Sequence, residues 1–431
     1  MSTPTINADA ALPGYQATES HSPPSYRRPD SVHHTRHVFS LKKPHTKRVW
    51  GTLEMGSCAK SSSAIPILKE GESITGVLEL DLESDGIHQI DIKLIGQFVG
   101  PISGPRSREP FVAGPDTFLE ASQPLWSRKT SMTSVSKPNG KHSWEFSFAL
   151  PTKATTAPKT LPPSLSESNI SFGVRYEFFA HIRRGKLRSN DRIGTLITYM
   201  PRLKPETPSP LRSLAYRDGT AIPGPDQDPE GWITLPSVLV KGSIFSTRDI
   251  QIKATLSLAA PLSYTQGTAI PTVMVLESAD EEALDLLSAT EAIVVSLQRH
   301  VIWGTPTKTD KQALHRGSAL DYPSLATWDH PIKGDQRRTF EGEIQLLKNI
   351  PASFALGKFA IEYQVLMFPF KMTAFKPHDD GPVARQRVDI ANFFADGPHA
   401  KQLRPPTSGV KSVQMGSTLG NLVDTPMTMF P

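Results

Sequence analysis

Along much of the chain, apolar and polar residues alternate with a period of two. In "ESITGVLELDL" one face carries Ile74, Gly76, Leu78 and Leu80. In "HQIDIKLIGQF" it carries Ile90, Ile92, Leu94, Gly96 and Phe98, and in "SWEFSFAL" Trp144, Phe146, Phe148 and Leu150. "FGVRYEFFAHI" continues with Val174, Tyr176, Phe178, Ala180 and Ile182. Successive side chains of a strand point to opposite faces, so such runs predict half-buried strands of antiparallel sheets. A proline-rich gap, "MPRLKPETPSPLRS", runs on to about Trp232. The alternation then returns in "IQIKATLSL", "AIVVSLQR", "TFEGEIQLL" and "GKFAIEYQVLM". Only "SADEEALDLLS" has a helical pattern, with Ser278 or Asp280 as cap and acids in the first turn. Many strands, long loops and almost no helix predict packed β-sandwiches.

The two patterned halves echo each other. "EGESITGVLEL" in the first corresponds to "QGTAIPTVMVL" in the second, each with a glycine turn (Gly71, Gly267) three residues before an isoleucine (Ile74, Ile270). Farther on, "LPPSLSESNISFGVRYEF" corresponds to "IPASFALGKFAIEYQV". Each opens with a proline loop, then a serine and a large apolar residue. Each ends in a strand with a β-branched residue two before a tyrosine, Tyr176 or Tyr363. Repetition in order and spacing predicts two similar units in tandem.

Composition adds that 39 of the 431 residues are proline, well above the usual ~5%. Proline breaks helix interiors, which agrees with the strand pattern. Residues 1–49 are rich in Ser, Pro and His, and are expected to form a disordered tail. Between Arg27 and Arg48 stand seven Lys/Arg against the single Asp30. That run suits a solvated tail, an anionic membrane surface or a nuclear import signal. His33, His34 and His37 lack the companion cysteines or carboxylates a metal site would need. With the single cysteine, Cys58, no intrachain disulfide can form. The opening residues lack the apolar run of a signal peptide, and no stretch has the ~18 apolar residues of a membrane span. The expectation is a cytoplasmic protein, and the Asn169 sequon is then idle.

The carrying pieces "EGESITGVLELDL", "IKLIGQF", "GKHSWEFSFALP…LPPSL" and "VRYEFFAHIRR" resemble the arrestin family. "ATLSLAAPLSYTQGTAIP" and "IPASFALGKFAIEYQVLM" extend the likeness into the second half. The resemblance is to the fungal arrestin-related (α-arrestin) proteins and covers roughly residues 65–200 and 235–370. It implies an all-β fold of two tandem immunoglobulin-like β-sandwich (arrestin-like) domains with disordered tails. On that basis the chain divides into a tail at 1–49 and an N-terminal arrestin-like domain at 50–200. A proline-rich linker at 201–234, a C-terminal arrestin-like domain at 235–395 and a flexible tail at 396–431 follow. The family's members are adaptors rather than enzymes. They use Pro-Pro-x-Tyr peptides to recruit WW-domain HECT-type ubiquitin ligases to membrane transporters or receptors, which are then ubiquitinated and internalised.

Pro23, Pro24 and Tyr26 in "SPPSY" match that peptide residue by residue. Paired prolines pre-form a polyproline II helix, so little entropy is lost on docking. Leu12, Pro13 and Tyr15 form a weaker Leu-Pro-x-Tyr variant. The tyrosines are 11 residues apart, ~18 Å along a flexible chain, which allows tandem WW domains to engage both. The family commonly carries such peptides in its C-terminal tail. Here "RPPTS" (Pro405, Pro406) has no tyrosine two positions on.

Other signals have plainer readings beside them. Arg183, Arg184, Lys186 and Arg188 surround a turn between two strands. That is a solvated hairpin, or a contact for an anionic lipid or a phosphorylated cargo in peripheral membrane association at the plasma membrane or endosomes. Glu282, Leu286 and Leu287 have acidic-dileucine spacing, but in a helix they read as core. "PETPSP" reads as linker. No Walker loop, dinucleotide glycine pattern, H-E-x-x-H or G-x-S-x-G occurs. Neither a catalytic residue, a cofactor nor a nucleic-acid partner is therefore expected. An arrestin-fold scaffold that does not use ubiquitin remains the alternative.

Overall fold

The computed structural model describes residues 35–83, 86–99, 116–128, 139–155, 160–166, 173–185, 188–304, 316–356 and 359–399. It is mostly β. The first half comprises β1 (Thr35–Lys42), β2 (Val49–Ser57), β3 (Ile67–Lys69), β4 (Ser73–Leu82) and β5 (Ile87–Val99). β6 (Asp116–Ser127), β7 (Gly140–Ala149), β8 (Leu165–Ser166), β9 (Gly173–Arg184) and β10 (Asp191–Met200) complete it. Strands β1-β2-β4-β7 make one sheet and β3-β10-β9-β5-β6 another, with β8 beside β9. The two sheets meet through their inward alternating residues. Phe146 and Phe148 of β7 contact Phe178 of β9 at ring distances of 6.0 and 5.7 Å. Leu53, Ile74, Leu78, Ile92 and Ile182 fill the space between, each fully buried.

The second half follows helix α1 (Pro210–Asp218). Its strands begin with β11 (Trp232–Thr234), β12 (Val238–Ile244), β13 (Arg248–Ala259), β14 (Ser263–Thr265) and β15 (Ala269–Glu277). Helix α2 (Glu281–Leu287) precedes β16 (Val295–Gly304), β17 (Arg316–Trp328), β18 (Ile332–Gly334) and β19 (Arg337–Gln345). β20 (Phe354–Leu356), β21 (Phe359–Met367), β22 (Phe375–Pro377) and β23 (Ala384–Ala391) close the chain order.

Here the predicted repeat is visible strand by strand. β12-β13-β15-β19 reproduces β1-β2-β4-β7, and β14-β23-β21-β16-β17 reproduces β3-β10-β9-β5-β6. Even the exceptional parallel pairs recur, β3 with β10 and β14 with β23. The Tyr176 hydroxyl donates to the Pro162 carbonyl at 2.6 Å, and the Tyr363 hydroxyl to the Pro351 carbonyl at 2.6 Å. Ser164 Oγ accepts from Tyr199 N, and Ser353 Oγ from Ile390 N. Gly71 and Gly267 both turn with φ near +80° (81° and 78°), a backbone region that glycine enters without a Cβ penalty. The halves differ at β17. Its early residues pair with β16 and its last three, Ala326–Trp328, with β19, so one strand passes between the two layers.

Three expectations are revised. The stretch 1–49 is not tail throughout, because Thr35–Lys42 forms β1 with His37, Phe39 and Leu41 turned inward. The stretch 201–234 is folded rather than a plain linker. Ser209 caps α1 by accepting from Arg212 N, Pro210 occupies the first turn and Gly219 closes the helix. Buried Arg212 fastens the helix by donating to the carbonyls of Gly231, at 3.4 Å, and Ala260. β6, β17 and β18 fall in the stretches 101–140 and 301–338, which the sequence pattern leaves as loops. The helix expected at "DEEALDLL" is present, with Asp280 Oδ1 accepting from Ala283 N at 3.0 Å. Leu284 and Leu287 are fully buried there, which is the core reading of that motif.

Two joins between the halves are visible among the described residues. Phe98 of β5 and Phe359 of β21 lie 6.3 Å apart across the boundary. The second join is made by Asn392, just past β23. Its Oδ1 accepts from Leu203 N at 2.9 Å and its Nδ2 donates to Pro201 O at 2.6 Å. Lys204 pairs with Asp396 at 2.8 Å, and the Arg202 guanidinium lies 5.5 Å over the Phe393 ring.

Candidate interaction surfaces

Pro23, Pro24, Tyr26, Leu12, Pro13 and Tyr15 lie outside the described residues. The described chain begins at Thr35, the first residue of β1. Eight residues, Arg27–His34, separate it from Tyr26, a reach of at most about 29 Å. The later part of the basic run is neutralised by carboxylates of neighbouring strands. Arg36 pairs with Glu54, Lys43 with Glu83, and Arg48 with Asp81 at 2.6 Å and Glu83 at 3.4 Å. His37 is buried and, among the described residues, belongs to no group placed to hold a metal ion. Its Nδ1 faces the Ser62 carbonyl at 3.1 Å and its Nε2 the Ser57 hydroxyl at 2.8 Å. A carbonyl can only accept, so Nδ1 carries the proton, and in the neutral ring Ser57 donates to Nε2.

The basic hairpin divides across the sheet, because adjacent residues of a strand face opposite ways. Arg184 Nε donates to Asp191 Oδ2 at 2.7 Å, and its guanidinium lies 5.2 Å over the Trp50 ring. Arg183 stands on the outward face, 3.8 Å from Asp91 Oδ2. Arg188 is exposed in the turn, where its N–H donates to Gly185 O at 3.0 Å, and Lys186 lies outside the described residues. Arg183 is joined on its face by Lys93, Arg175, His181 and Arg192, with Asp91, His181 and Arg192 in register across β5, β9 and β10. Burial, with Lys93, Arg192 and Arg183 around it, holds the His181 imidazole below its ordinary pKa against the pull of Asp91. Lys93 pairs with Glu120 at 3.0 Å and Arg175 with Glu177 at 3.5 Å. Arg192 lies 4.8 Å over the Phe179 ring. Most of these cations therefore already have a carboxylate or a ring beside them. The sequence reading missed Lys93 and His181, although both fall on the polar phase of strands it had recognised.

Two concavities stand out among the described residues. One, of about 70 Å³, lies between α1, the turn before β14 and the segment after β23, with Tyr216, Tyr264, Pro261 and Phe394 on its walls. The other, of about 640 Å³, lies in the outer face of the β1-β2-β4-β7 sheet. There the sheet forks. β2 and β4 pair only from Gly51–Met55 against Leu80–Gly76, while β1 follows β2 to Ser57 and β7 follows β4 back to Ser73. Gly76 marks the crossing point. A Cβ there would stand 2.0 Å from the Glu54 carbonyl oxygen and 2.6 Å from the Phe146 ring. Arg36, Glu54, Gly56, Thr75, Val77 and Glu145 line the depression.

The Cys58 Sγ faces Glu72 Oε1 at 3.4 Å, and burial together with that carboxylate pushes the thiol up, away from a reactive thiolate. Among the described residues, no group of three or more His, Cys, Asp or Glu is placed to hold a metal ion. No helix of the described residues is long and apolar enough to cross a membrane. The chain matches no protein-family model and no curated protein.

Proposed function

We propose that this protein is an arrestin-like adaptor with two β-sandwich units. It recruits a WW-domain HECT-type ubiquitin ligase to membrane transporters or receptors and promotes their ubiquitination and endocytosis. The observation that carries the reading is the duplicated circuit of strand pairs, down to the tyrosine–proline-carbonyl bond in each half. A repeated β body with a Pro-Pro-x-Tyr peptide eight residues before its first described strand suits a scaffold that presents one partner to another. Work at the cytoplasmic side of the plasma membrane or endosomes, as a peripheral protein without cofactor, follows from the same reading. The alternative is an arrestin-fold scaffold for trafficking or signalling that does not use ubiquitin.

The deciding experiment is a titration of a peptide spanning residues 8–34 with a panel of ligase WW domains. Tyr26→Ala and Tyr15→Ala versions run beside it. Micromolar binding that is lost with Tyr26→Ala is expected, and a smaller loss with Tyr15→Ala would reveal joint engagement. Absence of binding to every domain would leave the ubiquitin-independent scaffold.

A further inference from the structure

Three arginines are deeply buried among the described residues, and one of them lacks a counter-charge. Arg299 pairs with Asp321, and Arg338 with Glu281 and Asp285. Arg212, 4% exposed, has no carboxylate among the described residues within ion-pair reach. Its Nη1 and Nη2 donate to the neutral carbonyls of Gly231 and Ala260, and its Nε has no acceptor. Burying a cation without its partner is costly, because nothing replaces the water it gives up.

The concavity of about 70 Å³ beside α1 has Arg212 on its wall. Tyr216 and Ser263 stand there too, and neither hydroxyl has a hydrogen-bond partner among the described residues. Burial pushes the Tyr216 hydroxyl up in pKa while the Arg212 charge pulls it down, and the same two effects act on Tyr264. The guanidinium is thus close to both rings. The Tyr264 hydroxyl is already taken, donating to the Ala259 carbonyl at 2.5 Å. Much of the remaining wall is apolar, with Pro208, Pro261, Pro271 and exposed Phe394. A cation, two unpaired hydroxyls and proline rings together suit an anion with a small apolar end.

We propose that this concavity binds a short monocarboxylate. The carboxylate supplies the charge that Arg212 lacks and accepts from Tyr216 and Ser263, and its alkyl end lies among the prolines. Size sets the length of the acid. A cavity of about 150 Å³ admits benzene, so one of about 70 Å³ suits an acid of roughly two or three carbons. Glu206, exposed on the same wall, repels a second negative charge and so disfavours phosphate. The walls come from the segment before α1, from α1, from β14 and from the segment after β23, so a bound acid ties these together. The site does not rest on the ligase reading.

The test uses the full chain in a buffer free of carboxylate and phosphate, at constant ionic strength. Propionate labelled with carbon-13 is titrated, beside propionamide and inorganic phosphate, and line broadening and thermal unfolding are followed. Saturable binding of propionate at about 1 mM is expected, with an unfolding temperature that rises with ligand. Propionamide and phosphate should bind at least about tenfold more weakly. Tyr216→Phe removes a hydroxyl that bonds nothing else in the described chain, and should weaken propionate about tenfold without lowering the unfolding temperature of the free protein. Ala395→Trp, which fills the concavity from the segment after β23, should abolish the broadening. No saturable binding, equal binding of propionamide, tighter binding of phosphate, or propionate binding that survives both variants overturns the site.

Discussion

His37 shows how one buried side chain sets a pH response. Its Nδ1 donates to the Ser62 carbonyl, and in the neutral ring its Nε2 accepts from the Ser57 hydroxyl. Burial lowers its pKa, with the Ser62 bond acting weakly the other way. The unfolded chain, with an ordinary histidine near 6.5, therefore takes up the proton first. Stability is full above that value and is lost as pH falls below it. His181 is shifted in the same direction. Urea denaturation between pH 7.5 and 5 is expected to show a falling midpoint, with a shallower fall in His37→Gln. An unchanged slope in the variant would assign the response elsewhere. In the sequence His37 stands out only for its place beside His33 and His34, and His181 not at all. Imidazole burial depends on Ser57 and Ser62 in one case and on register with Asp91 in the other, and both are tertiary facts.

At the scale of elements, the tyrosine bonds fasten the strap ahead of β9 and of β21 to the strand it flanks. The Pro162 and Pro351 carbonyls lie in irregular chain, where no ladder partner exists for them. Tyr176→Phe or Tyr363→Phe leaves that carbonyl unpaired and is expected to cost about 1–2 kcal/mol, read from the urea midpoint. The two substitutions should cost similar amounts, because the geometry is the same. Most strands were legible because one face of each is buried, as in Ile90–Phe98 and Phe359–Met367. β1 was missed because its inward residues, His37, Phe39 and Leu41, include a histidine and lie in a basic run. Helix α1 was missed under its prolines, although Ser209, Pro210 and Gly219 spell a cap, a first turn and a stop. The fork beside Gly76 had no sequence signal beyond the glycine itself, since a glycine on an apolar face reads equally as a small core residue.

For the whole molecule, the join at Asn392 decides whether the halves behave as one body. Asn392→Ala removes both side-chain bonds to the chain at Pro201 and Leu203 and should cost about 2–3 kcal/mol. The expected result is faster tryptic cleavage after Arg202, with strands of either half unaffected. Equal cleavage rates would place the strength of the join at Phe98 and Phe359 instead. The strand β17 carries a different consequence. In the second unit it stitches the two layers into one backbone-bonded ribbon, whereas the layers of the first, among the described residues, meet through side chains such as Phe146, Phe148 and Phe178. Under a pulling load the first unit would shear along a plane of sliding rings, while the second would have to unzip peptide bonds' hydrogen bridges one at a time. The tandem thus has a soft end and a stiff end, and a tether attached before β1 pulls on the soft one.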